Sequence, residues 1–282
     1  MKENIFIKSR KSPSVWLLLV ITLACFIVAS VLMFIIQTKG ATVATTRLGS
    51  VVQDVLLFIA PALAFAALGG RKPMSVLRLN VAPPLGLLAL SVFILFMGMP
   101  MFESIVIWNE NISFPDALAP LEQTMRNMEN SAQEATKLIM GEHTVPSLIL
   151  SLVIVSLLAG FSEEIWFRGA FQQSFLRKHP HWAIWITAFI FSAIHCQFFG
   201  FFPRLLLGAF LGYTFYWTGS LWVPIIVHAL NNAMVVIMEY TGNNGNLFAP
   251  SEHEYPKTAL IIASTFAVIL LLRLFARHKK VS

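Results

Sequence analysis

Two glutamates and an arginine stand inside a long apolar stretch of the chain. In the segment FSEEIWFRGAF, residues 161–171, Glu163 and Glu164 are followed by Arg168. A charged side chain at the centre of a bilayer costs about 2.5–3.5 kcal/mol or more, so these groups need partners or a polar cavity. On a helix, Glu164 and Arg168 lie on one face and can pair, whereas Glu163 points about 100° away. Arg168 can thus neutralise the carboxylate of Glu164, whereas the carboxylate of Glu163 has no partner within this segment.

Two later apolar segments contain polar side chains at a similar depth. The segment FIFSAIHC contains His195, and His228 is followed by Asn231 and Asn232 in PIIVHALNNAM. A rise of about 1.5 Å per helical residue places Glu163, His195 and Asn232 within about one turn of each other, with His228 a turn lower. Three helices are therefore expected to present one polar cluster inside a bundle.

Each of these residues also has a purely structural interpretation. A single intramembrane histidine often only completes a hydrogen bond to a neighbouring helix. Glu164 and Arg168 are most simply a structural ion pair, and Phe191 and Cys196 are most simply packing residues. The conjunction of a spare glutamate, two histidines and an asparagine nevertheless favours a functional site. Carboxyl and imidazole groups are those used for general acid–base catalysis and for metal binding.

The composition is that of an integral membrane protein. Of 282 residues, 57% are hydrophobic and 12% are charged, and the mean hydropathy is +0.73, whereas a soluble domain is about a quarter charged. Residues 1–282 are therefore predicted to form a single all-α integral membrane domain, a polytopic transmembrane helix bundle. The apolar segments long enough to cross a bilayer predict eight helices, near residues 14–36, 50–69, 84–108, 146–175, 182–201, 203–218, 221–240 and 257–276.

Basic residues between the apolar segments predict the orientation of the chain. Their clusters would all lie on one side of an eight-helix bundle, which places both termini in the cytoplasm. The first apolar run continues to Ile36 without a cleavage site, so it is expected to remain as a span. The net charge of +6 does not indicate nucleic-acid binding, because the basic residues are scattered in short groups. These groups are Lys2, Lys8, Arg10 and Lys11; Arg71, Lys72 and Arg78; Arg177 and Lys178; and Arg277, Lys279 and Lys280.

The longest polar interval, residues 109–145, is predicted to lie on the outer side. Its apolar residues are spaced by fours and threes, which is helix periodicity. An amphipathic helix that lies on the membrane surface or packs over the bundle is favoured over a partner-binding coiled coil. Cys25 and Cys196 lie in apolar stretches and do not indicate a disulfide. The apolar residues of the stripe are Leu121, Met125, Met128, Ala132, Ala135 and Ile139.

Taken in order, the polar segments resemble the three motifs of the CPBP family of intramembrane proteases. This family includes the type II CAAX prenyl endopeptidases and bacterial Abi-type proteins. The resemblance covers roughly residues 146–238, the expected catalytic core, and every motif position is filled. It implies an active site in a cavity within the membrane, and a place in the bacterial plasma (inner) membrane. The matching residues are Glu163, Glu164 and Arg168 for EExxxR, Phe191 and His195 for FxxxH, and His228 and Asn232 for HxxxN.

The resemblance also implies roles for the motif residues in endoproteolysis. Glu163 would be the general base, His195 would help to hold or deprotonate a water molecule, and His228 with Asn232 would donate hydrogen bonds to an oxyanion. Glu164, Arg168, Phe191 and Asn231 would support the site. An alternative uses zinc, with Glu163, His195 and His228 as ligands. The chain contains no HExxH motif, and the mechanism without a cofactor is favoured.

Two other classes of function use the same residues differently. A non-catalytic membrane scaffold or immunity-type protein has the same fold without turnover. A proton- or ion-coupled transporter also places Glu, His and Arg inside a bundle, but the sequence shows no inverted repeat. For the protease, the expected partners are membrane lipid and a membrane-associated or lipidated peptide or protein substrate, and not nucleic acid. Whether such a substrate is prenylated does not follow from the sequence.

Overall fold

The described residues fold mainly into helices. The computed structural model describes residues 14–69, 72–176, 179–242 and 258–281, with side chains up to residue 276. These residues contain helices and no strand, which confirms the predicted all-α bundle. The helices are α1 Val15–Gln37, α2 Val43–Leu68, α3 Pro73–Val76, α4 Leu85–Met97, α5 Met99–Glu110, α6 Ala119–Met140, α7 Val145–Phe175, α8 Pro180–Ala193, α9 Phe201–Thr218, α10 Trp222–Thr241 and α11 Thr258–Val281.

The number of membrane-spanning helices is smaller than the eight predicted. Within the described ranges, six helices are long and apolar enough to cross a membrane: α1, α2, α7, α9 with its preceding turn, α10 and α11. Helices α4 and α5 make a seventh span if they are counted together, with a bend of 48°. The predicted span 182–201 is only the 14-residue α8 and a turn, and 14 residues rise about 21 Å against a hydrocarbon thickness of about 30 Å. The count of eight is therefore not confirmed.

The chain leaves the α-helical conformation at residues 194–200, of which Phe198–Gly200 form a 3-10 turn, and the hydropathy does not reveal this break. Cys196 in this turn has φ 54°, in the left-handed region. The fully buried Asn109 at the end of α5 donates from Nδ2 to the Phe198 carbonyl over 3.1 Å and accepts from the Phe202 amide over 3.0 Å. A non-helical turn is tolerated at membrane depth when protein groups bond its backbone. The side chain of Asn109 supplies one bond to this turn, at Phe198, and one to the first turn of α9, at Phe202.

The surface and the core agree with a membrane location. On α1, Trp16 is 73% exposed and Phe34 is 69% exposed, as expected of side chains that face lipid. Two buried apolar clusters lie inside the bundle. One includes Phe167 of α7 and Phe191 of α8, and the other joins α4, α9, α10 and α11. Helix α9 contributes residues to both clusters, so it connects the two halves of the bundle.

Helix α7 occupies the centre of the site described below and is irregular. Residues Leu152–Leu158 and Ile165–Gln172 form wider, π-helical turns. A π-helical turn leaves backbone carbonyls without their usual partner and is frequent at functional sites. Between these segments, Gly160 faces α10 so closely that a Cβ atom at this position would lie 3.0 Å from the Ala229 backbone nitrogen. The two helices can therefore approach only because residue 160 has no side chain.

The structure describes the helix of the amphipathic segment, but it does not describe most residues of the basic clusters. Residues Ala119–Met140 form one helix, α6, while its location on the outer side stays a prediction. Most of the basic residues that predicted the orientation lie outside the described residues, so the cytoplasmic position of both termini also stays a prediction. Those outside are Lys2, Lys8, Arg10, Lys11, Arg71, Arg177 and Lys178, and of Arg277, Lys279 and Lys280 only the backbone is described.

We predict that Gly160→Leu destabilises the protein strongly. The new side chain would overlap the backbone of Ala229, next to His228, and overpacking of a core costs about 1–3 kcal/mol. Thermal unfolding of the purified protein in detergent should show a melting temperature lowered by several degrees. Gly86→Leu on α4 is the matched control, because no atom lies within 4 Å of the Cβ position of Gly86. Equal melting temperatures for the two variants would contradict the close approach of α7 and α10.

Candidate functional site

A buried ion pair lies at the centre of the polar cluster. Glu164 and Arg168 are four residues apart on α7 and both are fully buried, with 2.6 Å between Glu164 Oε1 and Arg168 Nη1. The Nη2 atom of Arg168 donates to the carbonyl of Gly208 on α9 over 2.9 Å. The guanidinium carbon lies 4.8 Å from the centre of the Phe191 ring on α8, a cation–π arrangement. The pair expected from the sequence spacing is present, and it connects three helices.

His228 contacts both glutamates. Its Nδ1 atom lies 2.9 Å from Glu164 Oε1, and its Nε2 atom lies 3.8 Å from Glu163 Oε2. His228 is buried, whereas the Glu163 side chain keeps 15% of its surface exposed. When Glu164 is ionised, its oxygen accepts and Nδ1–H donates, so Nε2 is directed toward Glu163. The contact between Glu164 and His228 was not predicted, because it depends on how α7 and α10 are rotated against each other.

Phe191 connects the two histidines. Its ring is 5.3 Å from the ring of His195 and 5.7 Å from the ring of His228, with edge-to-face geometry in both cases. The Phe191 carbonyl lies 2.7 Å from His195 Nδ1 and can only accept, so Nδ1–H donates. In the neutral ring, Nε2 of His195 is then the atom that can accept a proton. Phe191 is thus core, as expected, and also orients an imidazole.

The two asparagines on α10 have different surroundings. Asn232 donates from Nδ2 to the carbonyl of Val155 over 3.1 Å, and Val155 lies in the first π-helical segment of α7. One of its two amide hydrogens is therefore used to hold α7 against α10, and the other remains for a ligand. Asn231 borders a cavity of about 370 Å³ that Arg204 also lines. The Asn231 amide is 3.4 Å from Asn232 Oδ1.

A further buried carboxyl was not singled out from the sequence. Asp54 on α2 is 7% exposed, and its Oδ1 accepts a hydrogen bond of 3.0 Å from Ser162 Oγ. Ser162 immediately precedes Glu163, so Asp54 is tied to the same turn of α7. Asp54 could have been found from the sequence, because it is an acidic residue inside the predicted span 50–69. The cost of burying a charge in a membrane, which identified Glu163, applies to Asp54 as well.

A second group of polar residues missed from the sequence lies where α6 covers the bundle. Arg204 on α9 donates from Nη2 to Gln197 Oε1 over 2.9 Å, and Gln197 donates from Nε2 to Glu129 Oε1 on α6 over 3.2 Å. Arg204 also interacts electrostatically with Glu163 and His195. Burial raises the pKa of the Glu129 carboxyl above its ordinary value, and the charge of Arg204 acts in the opposite direction. Arg204 could have been found from the sequence, because it is a charged residue inside the predicted span 203–218. The sequence pattern did not distinguish Gln197 or Glu129.

The side chains do not fit a preformed zinc site. A zinc ion would need Glu163, His195 and His228 to point at one position. In the part of the chain that is described, no three His, Cys, Asp or Glu side chains are grouped closely enough to hold a metal ion. No step proposed below passes through a metal.

The fold and the cluster define an integral membrane protein with a buried Glu/Arg/His site built from α7, α8 and α10. Residues 145–234, which carry this site, match the family model of the type II CAAX prenyl endopeptidases, Rce1-like. The match confirms the CAAX-protease type of family predicted from the motifs, for this part of the chain. It begins at α7 and ends within α10, and so leaves α1 to α6 and α11 unassigned.

A curated relative covers a similar share of the chain. The uncharacterized protein YpbD of Bacillus subtilis (strain 168) is 29% identical over 102 residues, which are 35% of this chain and 48% of YpbD. The chain thus aligns with about half the length of this relative. No solved structure matches the chain.

We predict that Glu164→Ala lowers the amount of folded protein. The change leaves Arg168 charged and unpaired in a fully buried position, which typically costs about 3–5 kcal/mol. The double variant Glu164→Ala/Arg168→Met should recover folded protein, because it removes both charges and keeps an apolar side chain of similar length. Size-exclusion chromatography of detergent extracts measures the monodisperse fraction of each variant.

The pair Glu122–Arg126 on α6 provides the control for this prediction. It has the same four-residue spacing and a distance of 2.8 Å between charged atoms, but both side chains are partly exposed. Glu122→Ala should therefore change the folded fraction much less than Glu164→Ala, since exposed pairs contribute little. Equal losses for the two single variants, or no recovery in the double variant, would show that burial of the Arg168 charge is not what makes Glu164 necessary.

Proposed function

We propose that this protein is an intramembrane endopeptidase that hydrolyses peptide bonds with a water molecule activated by Glu163. The observation that carries the proposal is the position of His228 between the two glutamates. Its Nδ1 atom is held by Glu164 Oε1 at 2.9 Å, and its Nε2 atom is 3.8 Å from Glu163 Oε2. A spare carboxylate and a fixed imidazole thus lie 3.8 Å apart, the proximity that general acid–base catalysis requires.

The proposed reaction starts with proton transfer to Glu163. The carboxylate removes a proton from water while the water oxygen bonds to the carbonyl carbon of the peptide. The carbonyl oxygen becomes an oxyanion. When the carbonyl double bond re-forms, the carbon–nitrogen bond breaks and the proton held by Glu163 passes to the leaving nitrogen. The products are a carboxylic acid and an amine, and no other reactant is needed.

His195, His228 and Asn232 supply the remaining interactions in this proposal. His195 has Nδ1 bonded to the Phe191 carbonyl, so its Nε2 atom is available to hold the water molecule. In its protonated form, His228 donates from Nε2 to the oxyanion. Its positive charge, with that of Arg168, then balances the two carboxylates of Glu163 and Glu164. Asn232 donates its second amide hydrogen, and each donor of this kind typically contributes about 3 kcal/mol.

The substrate is proposed to be a membrane-associated or lipidated peptide or protein. The family match over residues 145–234 supports this, because the matched family is named for CAAX prenyl endopeptidases. Six or seven described helices long enough to span a membrane support a substrate reached within or beside the lipid. We further propose that the protein resides in a bacterial plasma membrane with both termini in the cytoplasm. This reaction uses no cofactor.

We predict that Glu163→Gln abolishes cleavage and preserves the fold. The amide keeps the shape and much of the hydrogen bonding of the carboxylate but cannot accept the proton, and loss of a general base typically reduces the rate about 10²–10⁴-fold. The measurement is comparative peptidomics of membranes from cells that carry either the intact protein or the variant. Peptides that depend on the intact protein should disappear with Glu163→Gln at an unchanged protein level.

Glu134→Gln is the control for this experiment, because Glu134 is an exposed glutamate on α6. It should leave the peptide pattern unchanged. Identical patterns for intact protein and Glu163→Gln, at equal abundance, would overturn the proposal and favour a non-catalytic scaffold. Substrate flux in liposomes that survives in the absence of any cleavage would instead favour a carrier.

A further inference from the structure

A groove between helix α6 and the turn 194–200 leads to a motif histidine. It has a volume of about 400 Å³. The α6 side contributes hydroxyl, amide and thioether side chains and no charge. The opposite side contributes His195 and the exposed Cys196. Such a lining offers hydrogen bonds to the backbone of a peptide without selecting for charge. The α6 residues are Thr124, Asn127, Met128 and Ser131.

A second space lies on the other side of the same turn. It is the cavity of about 370 Å³ that Asn231 and Arg204 line, and Glu129 and Phe199 also border it. Asn231 is next to Asn232, one of the proposed oxyanion donors. His195 therefore faces one space and Asn231 borders the other. A peptide that contacts both sets of residues must occupy parts of both spaces.

Three side chains form a bridge at the edge of the second space, which Glu129 and Arg204 line. Gln197 lies two residues after His195 and uses both ends of its amide: Oε1 accepts from Arg204 Nη2 at 2.9 Å and Nε2 donates to Glu129 Oε1 at 3.2 Å. The Gln197 carbonyl also lies 3.4 Å from Arg204 Nη1. We call this set the Glu129–Gln197–Arg204 bridge. It links α6 to α9 through the turn that holds His195.

We propose that the groove admits an extended, uncharged polypeptide segment of the substrate to His195, and that the Glu129–Gln197–Arg204 bridge narrows the groove by holding α6 against the turn 194–200. This inference rests on the proposed endopeptidase function, because it assigns the path of the substrate to the same site. The contact between Gln197 and Glu129 is the part of the bridge that joins α6 to the turn. Breaking it removes one of the contacts that hold α6 against the turn, while Gln197 keeps its bonds to Arg204 and Arg126 of α6 still lies 4.0 Å over the Phe199 ring.

Chemical labelling of Cys196 tests whether the bridge narrows the groove. In a Cys25→Ser background, Cys196 is the one thiol of the chain, and its reaction rate with N-ethylmaleimide in proteoliposomes reports access to the groove. Glu129→Ala should raise this rate several-fold, since it removes the acceptor for Gln197. Glu129→Gln retains an acceptor oxygen and should restore a rate near that of the parent. Glu134→Ala, on the exposed face of α6, should change nothing. An unchanged rate in monodisperse Glu129→Ala protein would overturn the role of the bridge.

A cross-link tests whether the groove is the path of the substrate. Ser131→Cys introduces a side chain of nearly the same size across the groove from Cys196, and mild oxidation or a short bismaleimide should join the two. The joined protein should lose cleavage of membrane peptides, and a reductant should restore cleavage after oxidation. Ser131→Cys/Cys196→Ser treated in the same way should keep its activity. Failure of the pair to join would contradict the placement of α6, and full activity of the joined protein would contradict the path.

These outcomes are distinguishable from failure of the proposed function. Glu163→Gln is measured in the same preparation. If the parent protein shows no cleavage that depends on Glu163, the endopeptidase proposal and the substrate path fall together, while labelling of Cys196 still decides whether the bridge narrows the groove. If cleavage depends on Glu163 but is unaffected by the cross-link, only the path is wrong.

Discussion

The carboxylate of Glu164 is the group on which the arrangement of the site depends. One of its oxygens accepts from Arg168 on the same helix and from His228 on α10. Arg168 in turn bonds the Gly208 carbonyl of α9 and packs against Phe191 of α8. Apolar side chains gain little by exchanging lipid for one another, so polar contacts and close packing set the register of helices in a membrane. Here one buried ion pair fixes four consecutive helices, α7 to α10, relative to one another.

Glycine residues let the helices come close enough for these polar contacts to form. The bond from Arg168 to the Gly208 carbonyl is repeated one turn later by Gln172, whose Nε2 donates to the Gly212 carbonyl over 3.0 Å. A Cβ atom at Gly212 would lie 2.7 Å from the Gln172 side-chain oxygen, and one at Gly208 would lie 3.2 Å from Ala188. Glycine at both positions lets α9 approach α7 and α8 closely enough for side chains on α7 to reach backbone carbonyls. The charged pair and the glycines therefore act together. The charged pair selects the register of the helices, and the glycines permit the short distance between them.

The sequence permits prediction of those features that depend on spacing within one segment. The Glu164–Arg168 pair follows from four-residue spacing, and the membrane class follows from the rarity of charge. The contact of Glu164 with His228 does not follow, because it requires the relative rotation of two helices. The break at residues 194–200 does not follow either, because Asn109, far away in the chain, satisfies its backbone. Hydropathy continues through this turn and so predicts a full span where the structure has a short helix. Asp54 and Arg204 could have been predicted. Each is a charged residue in an apolar segment, which is the feature that identified Glu163.

Asp54 shows how the surroundings hold the proposed base in place. Its carboxylate accepts from Ser162, the residue before Glu163, while His228 approaches Glu163 from the other neighbour, α10. The wide turn Asp54–Ile59 of α2 contacts the α7 segment Ala159–Glu164, and the second wide turn of α7 starts at Ile165, directly after Glu164. One extra residue in a helical turn rotates all later side chains by about 100°, so these turns decide which side chains face the bundle interior. A carboxylate whose backbone is fixed on two sides needs little rearrangement when a proton arrives, which is the physical basis of preorganised catalysis. The irregular helices are therefore part of the site, because regular turns would direct the later residues of α7, such as Gln172, to another face.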